Sequence, residues 1–277
     1  MADETSGEMI VSLDDEDFIL LERCVEDLEY PSLLARIAGF VGAPIDKVFD
    51  ALPKGASEKI GRVVHGSLEA ALKTAVFTMR RTARNRAHPL LHKFAVGASG
   101  AGGGAFGLPA IAIELPITTS IMLRSIADIA RAEGEDLHRL ETRLACLEVF
   151  ALGGGSSSDD AADSGYFAVR AALAKAVTEA SEFIVQKGVI EKSAPVIVRL
   201  LSQVAARFNT VVAEKIVAQG VPIVGALGGS AINVLFMGHF QSIARAHFSV
   251  RRLELHYGHD LVRSVYDDIA AKKSAAG

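Results

Sequence analysis

Gly102, Gly104 and Gly107 fall at the G-x-G-x-x-G spacing with which a strand-to-helix turn presents backbone N–H groups to a pyrophosphate. That chemistry needs a strand before the glycines and a second strand ending in an acid about twenty residues on. Asp128 has roughly that spacing, but "RSIADIAR" (Arg124–Arg131) is helical in period, and Pro116 interrupts the helix that would follow the turn. Gly97-Ala98-Ser99-Gly100-Ala101 approaches a nucleophile elbow, with Ala101 where the last glycine belongs and no strand to present Ser99. Ser99 and His239 are the first suspects of an unrecognised hydrolase, yet no Ser/His or His/acid set is visible. His88 and His92 are four apart, but Pro89 disfavours helical geometry at His88. His239 and His247 lie eight apart on one helix face, and His256 and His259 bracket Gly258, in both cases without further ligands. No catalytic residue, no metal site and no cofactor is expected.

Glu114 is the residue that demands an explanation. The twenty residues between Lys93 and Glu114 carry no Asp, Glu, Lys or Arg, and neither do the 29 from Ile216 to Ala244. A membrane-spanning helix needs about twenty mostly apolar residues, so both stretches qualify by length and both are diluted by Gly, Ser, Asn, Gln and His. A carboxylate in a bilayer costs about 2.5–3.5 kcal/mol on insertion scales, and one in a protein core needs a partner. Arg124, Asn233 and Arg245 are the candidate partners. Two roles stand for Glu114: a structural polar contact between the apolar segments, or a site that binds a ligand or partner with Arg124, Asn233 and Arg245.

The elements that position these residues are helical throughout. Ile45, Val48, Phe49 and Leu52 repeat at i, i+3, i+4, i+7, and Ile60, Val63, Val64, Leu68, Ala71, Leu72, Ala75, Val76 and Met79 continue the pattern. No period-two alternation appears. The periodicity predicts helices near 14–29, 33–41, 44–51, 55–84, 89–106, 109–132, 137–152, 164–187, 194–219, 222–257 and 259–273. Gly188 reads as a helix stop. "GGGSSSDDAADSG" (Gly153–Gly165) reads as a flexible loop, and without a following Gly-Lys-Ser/Thr it is no phosphate loop. Small residues four apart (Gly100/Gly104, Gly103/Gly107, Gly225/Gly229) favour close helix approach. "SIADIAR" from Ser125 is echoed by "SIARAHF" from Ser242. The expected fold is all-α: one multi-helix, bundle-like domain in which two glycine-rich apolar helical hairpins pack together. An acidic segment, 1–29, precedes a helical body, 30–273, whose halves, 30–152 and 164–273, are joined by the 153–165 loop.

Composition bounds the function. Of 277 residues half are hydrophobic, 6% are aromatic and none is Trp, a mix suited to close packing of small side chains. The net charge is −4, yet residues 1–29 hold eleven acids and one base, leaving a mildly basic body. Arg80, Arg81, Arg84, Arg86 and Lys93 precede the first apolar stretch, and near an anionic leaflet each contributes about 1 kcal/mol. Their other reading is a solvated helix face. No aromatic interleaving accompanies them, which argues against nucleic acid. Two cysteines make no disulfide framework and read as reduced, buried thiols. The acidic N-terminus lacks the basic and apolar regions of a signal peptide, so a cytoplasmic location is expected.

Four segments resemble the EcsC protein family: "ALPKGASEKIGRVVHGSLEAALKTAVFTMR" (Ala51–Arg80), "GLPAIAIELPITTSIMLRSIADIARAEGEDL" (Gly107–Leu137), "LEVFALGG" (Leu147–Gly154) and "VPIVGALGGSAINVLFMGHFQSIARAHF" (Val221–Phe248). The distinctive parts are Glu114-x-Pro116 with Leu123-Arg124, and Pro222-x-Val224-Gly225 followed by Gly229-x-x-x-Asn233. The Gly100–Gly107 run and the long acidic head depart from the pattern. The resemblance implies an all-helical bacterial protein, similar to a founding member encoded beside an ABC-type transporter in an operon linked to secretion. It carries no catalytic residues. The expected function is a non-enzymatic, peripheral membrane accessory to such a transporter, at the inner face of the cell membrane. Its partners would be anionic lipids or a transporter subunit, and its oligomeric state stays open. The alternative is a binding module for a hydrophobic ligand such as a lipid, anchored by Glu114, Arg124 and Asn233.

Overall fold

The Asp14 carboxylate accepts the backbone N–H of Asp17 at 2.8 Å and starts helix α1, Asp15–Glu29. Three acids in its first turn suit the positive end of the helix dipole. This opening belongs to a computed structural model of the chain, which describes residues 13–30, 33, 36–37, 56–79, 108–154, 165–219 and 228–276. The further helices are α2 (Ala56–Lys73, continued by a π-helical turn at Thr74–Thr78), α3 (Leu108–Ala132), α4 (Leu140–Ala145), α5 (Glu148–Leu152), α6 (Tyr166–Lys187), α7 (Pro195–Gln219), α8 (Gly228–Tyr257) and α9 (His259–Ala276). Among the described residues there is no strand, and the fold is all-α.

Helix α8 is the axis of the molecule and packs on α1, α3, α5, α7 and α9. Helices α2, α3 and α7 form its other flank. One core draws on both halves of the chain, and at its centre Phe150, Phe208, Phe236 and Phe240 stack edge-on or tilted with centroids 5.0–6.2 Å apart. Gln241, just before the second of the echoed heptads, donates to the Ser125 hydroxyl at 2.8 Å and ties α8 to α3. Cys24 and Cys146 are buried free thiols, as expected, and burial pushes Cys24 up to about 12.

The structure refines three of the expected boundaries. Helix 55–84 is not uniform, since Thr74–Thr78 widens to a π turn. The buried Arg143 guanidinium donates to the Ala75 and Val76 carbonyls at 3.1 and 2.9 Å. Helix 137–152 divides into α4 and α5, because the Leu147 N–H turns back to Leu144 at 2.8 Å. The 153–165 loop does not begin flexibly. Gly153 and Gly154 are buried, and a Cβ at Gly154 would lie 2.5 Å from the Arg207 carbonyl oxygen. Arg207 donates to the carbonyls of Ala151 and Gly154 at 3.1 and 2.9 Å and so caps α5. Gly188 stops α6 as predicted, with φ +70° and its N–H on Ile184 at 2.9 Å. The glycine-rich segment before α3, and with it the predicted pairing of two hairpins, lies outside the described residues.

Candidate functional site

Glu114 stands two turns into α3 and is buried, as its sequence context predicts. Its partner is none of the three expected from the sequence. Lys215, one turn from the end of α7, donates from Nζ to Glu114 Oε1 at 2.7 Å, and both side chains are almost wholly buried. The ammonium also lies 4.9 Å from the Phe236 ring centroid on α8, within cation–π range. Burial pushes the Lys215 pKa down and the adjacent carboxylate opposes that fall. Glu114 Oε2 and the hydroxyl of Thr118, one turn on along the same face, are buried without hydrogen-bond partners. Asn233 is buried on α8, three residues from Phe236. Three helices thus bring polar groups inside at the points where the uncharged stretches 94–113 and 216–244 run into the helical body.

The outer face of the same stretch of α3 is the reverse. Ile113 is 73% exposed and Ile117 50% exposed, one turn apart. Phe77, on the π-helical turn, is 60% exposed. Arg124 continues this face, exposed, and donates to the Thr78 hydroxyl beside Phe77 at 3.4 Å. Arg124 is therefore the basic end of an apolar stripe, not the partner of Glu114. Arg245 is likewise exposed, on α8. The structure brings Glu114 to Lys215 and places Arg124 and Arg245 on the outside. Arg80, Arg81, Arg84, Arg86, Lys93 and Ser99 lie outside the described residues. His239 is held by the Gly153 carbonyl at 2.8 Å, and burial lowers its pKa to about 4.

A second polar group, of which the sequence singles out only His247, lies where α5, α6 and α8 meet. The Tyr166 hydroxyl and His247 Nδ1 share a hydrogen bond of 2.9 Å, and His247 Nε2 lies 4.0 Å from Glu148 Oε2. Burial raises Glu148 to about 8, against the pull of Arg251 and Arg170, and holds His247 well below its usual value. Tyr166 stacks on Tyr266, whose hydroxyl donates to Glu29 at 2.8 Å. Arg170 grips Glu254 through two bonds of 2.9 and 2.7 Å. Among the described residues no group of three or more His, Cys, Asp or Glu is placed to hold a metal ion.

One described helix, Pro195–Ala218 within α7, is long and apolar enough to cross a membrane by length and composition. It also packs on α2, α5, α6 and α8, as a core helix does. No curated protein and no solved structure matches the chain. A family model does, that of the EcsC protein family, over residues 21–253, which runs from the second half of α1 to most of α8. With that span matched, the chain belongs to the EcsC protein family.

Proposed function

We propose that this chain is a non-enzymatic helical accessory protein that docks on the anionic inner face of the cell membrane, beside a membrane transporter. The observation that carries the reading is the inversion of α3. Its ion pair, Glu114 with Lys215, is inside, while Ile113 and Ile117 face out, and further along the helix Arg124 meets Thr78, the neighbour of the exposed Phe77. A helix that exposes branched apolar side chains over a buried ion pair suits an apolar environment better than water. Each exposed isoleucine contributes roughly 1–2 kcal/mol on insertion among acyl chains. Arg124 closes the stripe with positive charge, and the chain carries Arg80, Arg81, Arg84, Arg86 and Lys93 upstream of α3. The sum describes a reversible, salt-sensitive attachment.

Flotation with vesicles tests it. The wild type floats with phosphatidylglycerol-containing vesicles at low salt and stays behind at about 0.5 M salt, where charges more than a few ångströms apart are screened. Ile113→Glu with Ile117→Glu abolishes flotation without changing helical content. A wild type that never floats, or a variant that floats equally well, overturns the reading.

A further inference from the structure

Helices α3 and α8 run parallel and in register. Gln241 donates to Ser125 at 2.8 Å, Arg251 to Glu135 at 2.5 Å and Arg252 to Glu133 at 2.9 Å. The partners in these contacts are 116, 116 and 119 residues apart, so Glu114 stands level with Ser230, in the first turn of α8. Helix α7 runs the other way. Lys215, near its end, meets Glu114 and the Phe236 ring. Two turns earlier Arg207 donates to the carbonyl of Gly154, next to the Gly153 carbonyl that holds His239. The start of α3, the close of α7 and the start of α8 therefore form one end of the molecule.

Charge is sorted along this axis. From Leu108 to Leu123, α3 has a single Asp, Glu, Lys or Arg, the buried Glu114, and from Gly228 to Ala244 α8 has none. At the close of α7, Lys215 is buried against Glu114, and Glu214 is half-buried with a partner of its own. The outer face of α3 at this end is Ala112, Ile113, Pro116, Ile117, Ser120 and Ile121. The Ser120 hydroxyl donates to the Pro116 carbonyl at 2.8 Å, so it does not depend on water. Exposed charge begins at Arg124 on α3 and Arg245 on α8, and beyond them lie the ion pairs of Arg251 and Arg252.

We propose that this whole end, rather than the α3 stripe alone, enters the bilayer. Its partner is the acyl layer of a single leaflet, met end-on, with Arg124 at the level of the phosphates. The inference rests on the membrane docking proposed above and gives it an orientation. Ile113 lies eleven residues before Arg124, about 16 Å along the helix axis. That is about half of the roughly 30 Å hydrocarbon core, so the end reaches the midplane and does not cross it. Glu114 stands at almost the same depth, where an unpaired ion is costly, and its pairing with Lys215 leaves no net charge between the two. A helix lying flat would need no such sorting of charge from one end to the other.

The chain has no tryptophan, so a single introduced one reports its own depth. Ile113→Trp, Ile117→Trp and Ile121→Trp sample α3, Ser230→Trp samples the start of α8, and Leu255→Trp samples the far end of α8, each in the full chain. The probe is phosphatidylglycerol-containing vesicles at low salt whose acyl chains are brominated either near the glycerol or near the bilayer centre. Quenching by the deep bromines is strongest at 113, weaker at 117 and weakest at 121. The ratio of deep to shallow quenching falls about twofold over the roughly 12 Å between 113 and 121. Ser230→Trp is quenched like Ile113→Trp, and Leu255→Trp is not quenched. Equal ratios at 113, 117 and 121, or a folded Ser230→Trp that is not quenched, overturn the end-on contact and leave membrane docking standing. No quenching at any position overturns both. If Ser230→Trp loses the helical content of the wild type, the gradient along α3 decides alone.

Discussion

The outer turns of α3 and the junction of α4 and α5 bury ionisable groups in opposite ways. Around Glu114 the protein pairs an acid with a base at 2.7 Å and leaves isoleucine on the surface outside. Around Glu148 the buried groups are held neutral, with His247 and Tyr166 beside it, and the surface outside carries Arg139, Glu141, Glu135 and Arg251. A region whose surface is charged is built for water. On the docking proposed above, the region with the apolar outer stripe ending in Arg124 is the one that meets lipid. The two regions differ in where their charged groups lie, although both draw on one core.

The largest break in that comparison comes at the ion pair. Lys215→Met leaves Glu114 buried without its cation and costs about 3–5 kcal/mol in urea unfolding. Adding Glu114→Leu to the same variant recovers most of the loss, because two apolar side chains can replace a buried pair. Equal loss in the single and double variants would mean that the two groups do not act together.

A smaller and pH-dependent effect distinguishes the other end. The folded Glu148 pKa lies near 8 against an ordinary 4.5, so the unfolded chain loses its proton first. Stability attributable to this group is intact below about pH 4.5 and falls as pH rises towards 8, with a slope of at most about 1.4 kcal/mol per pH unit. Glu148→Gln removes that slope. His239 and His247 act with the other sign: their folded pKa values are lowered, so they cost stability as pH falls below about 6.5. The difference between wild type and Glu148→Gln across pH isolates the acid. A difference that does not change with pH would place a charged Glu148 in the folded state.

Much of the helical frame was legible because periodicity and punctuation agree. The Gly188 stop and the limits of α1, α6 and α7 follow from apolar spacing and from caps a few residues long. Glu114 was legible too, as an acid after twenty residues without charge. Its partner was not, and the reason is physical. Lys215 lies just outside the uncharged stretch that begins at Ile216, where it reads as a boundary. It also sits in the stripe Val204, Phe208, Val211, Lys215, Ala218, at a core position of α7, and that spacing was the available signal. Glu148 is masked in the same way, between Leu144, Ala145 and Leu152 on a buried face. Periodicity reports which face is inside; it does not report which side chain from another helix will meet it. The π turn at Thr74 and the close packing of Gly154 are likewise set by Arg143 and Arg207, residues far off in sequence.

The most direct test of the membrane reading places an environment-sensitive fluorophore on the surface of each region. Cys24 and Cys146 are buried with raised pKa values, so labelling is confined to an introduced Ile113→Cys or Leu255→Cys. Leu255 is 87% exposed on α8 between Glu254 and His256, away from the α3 stripe in sequence. On adding phosphatidylglycerol-containing vesicles at low salt, emission from the label at 113 shifts to the blue and emission from the label at 255 does not. No shift at 113, or the same shift at both positions, would contradict docking through α3.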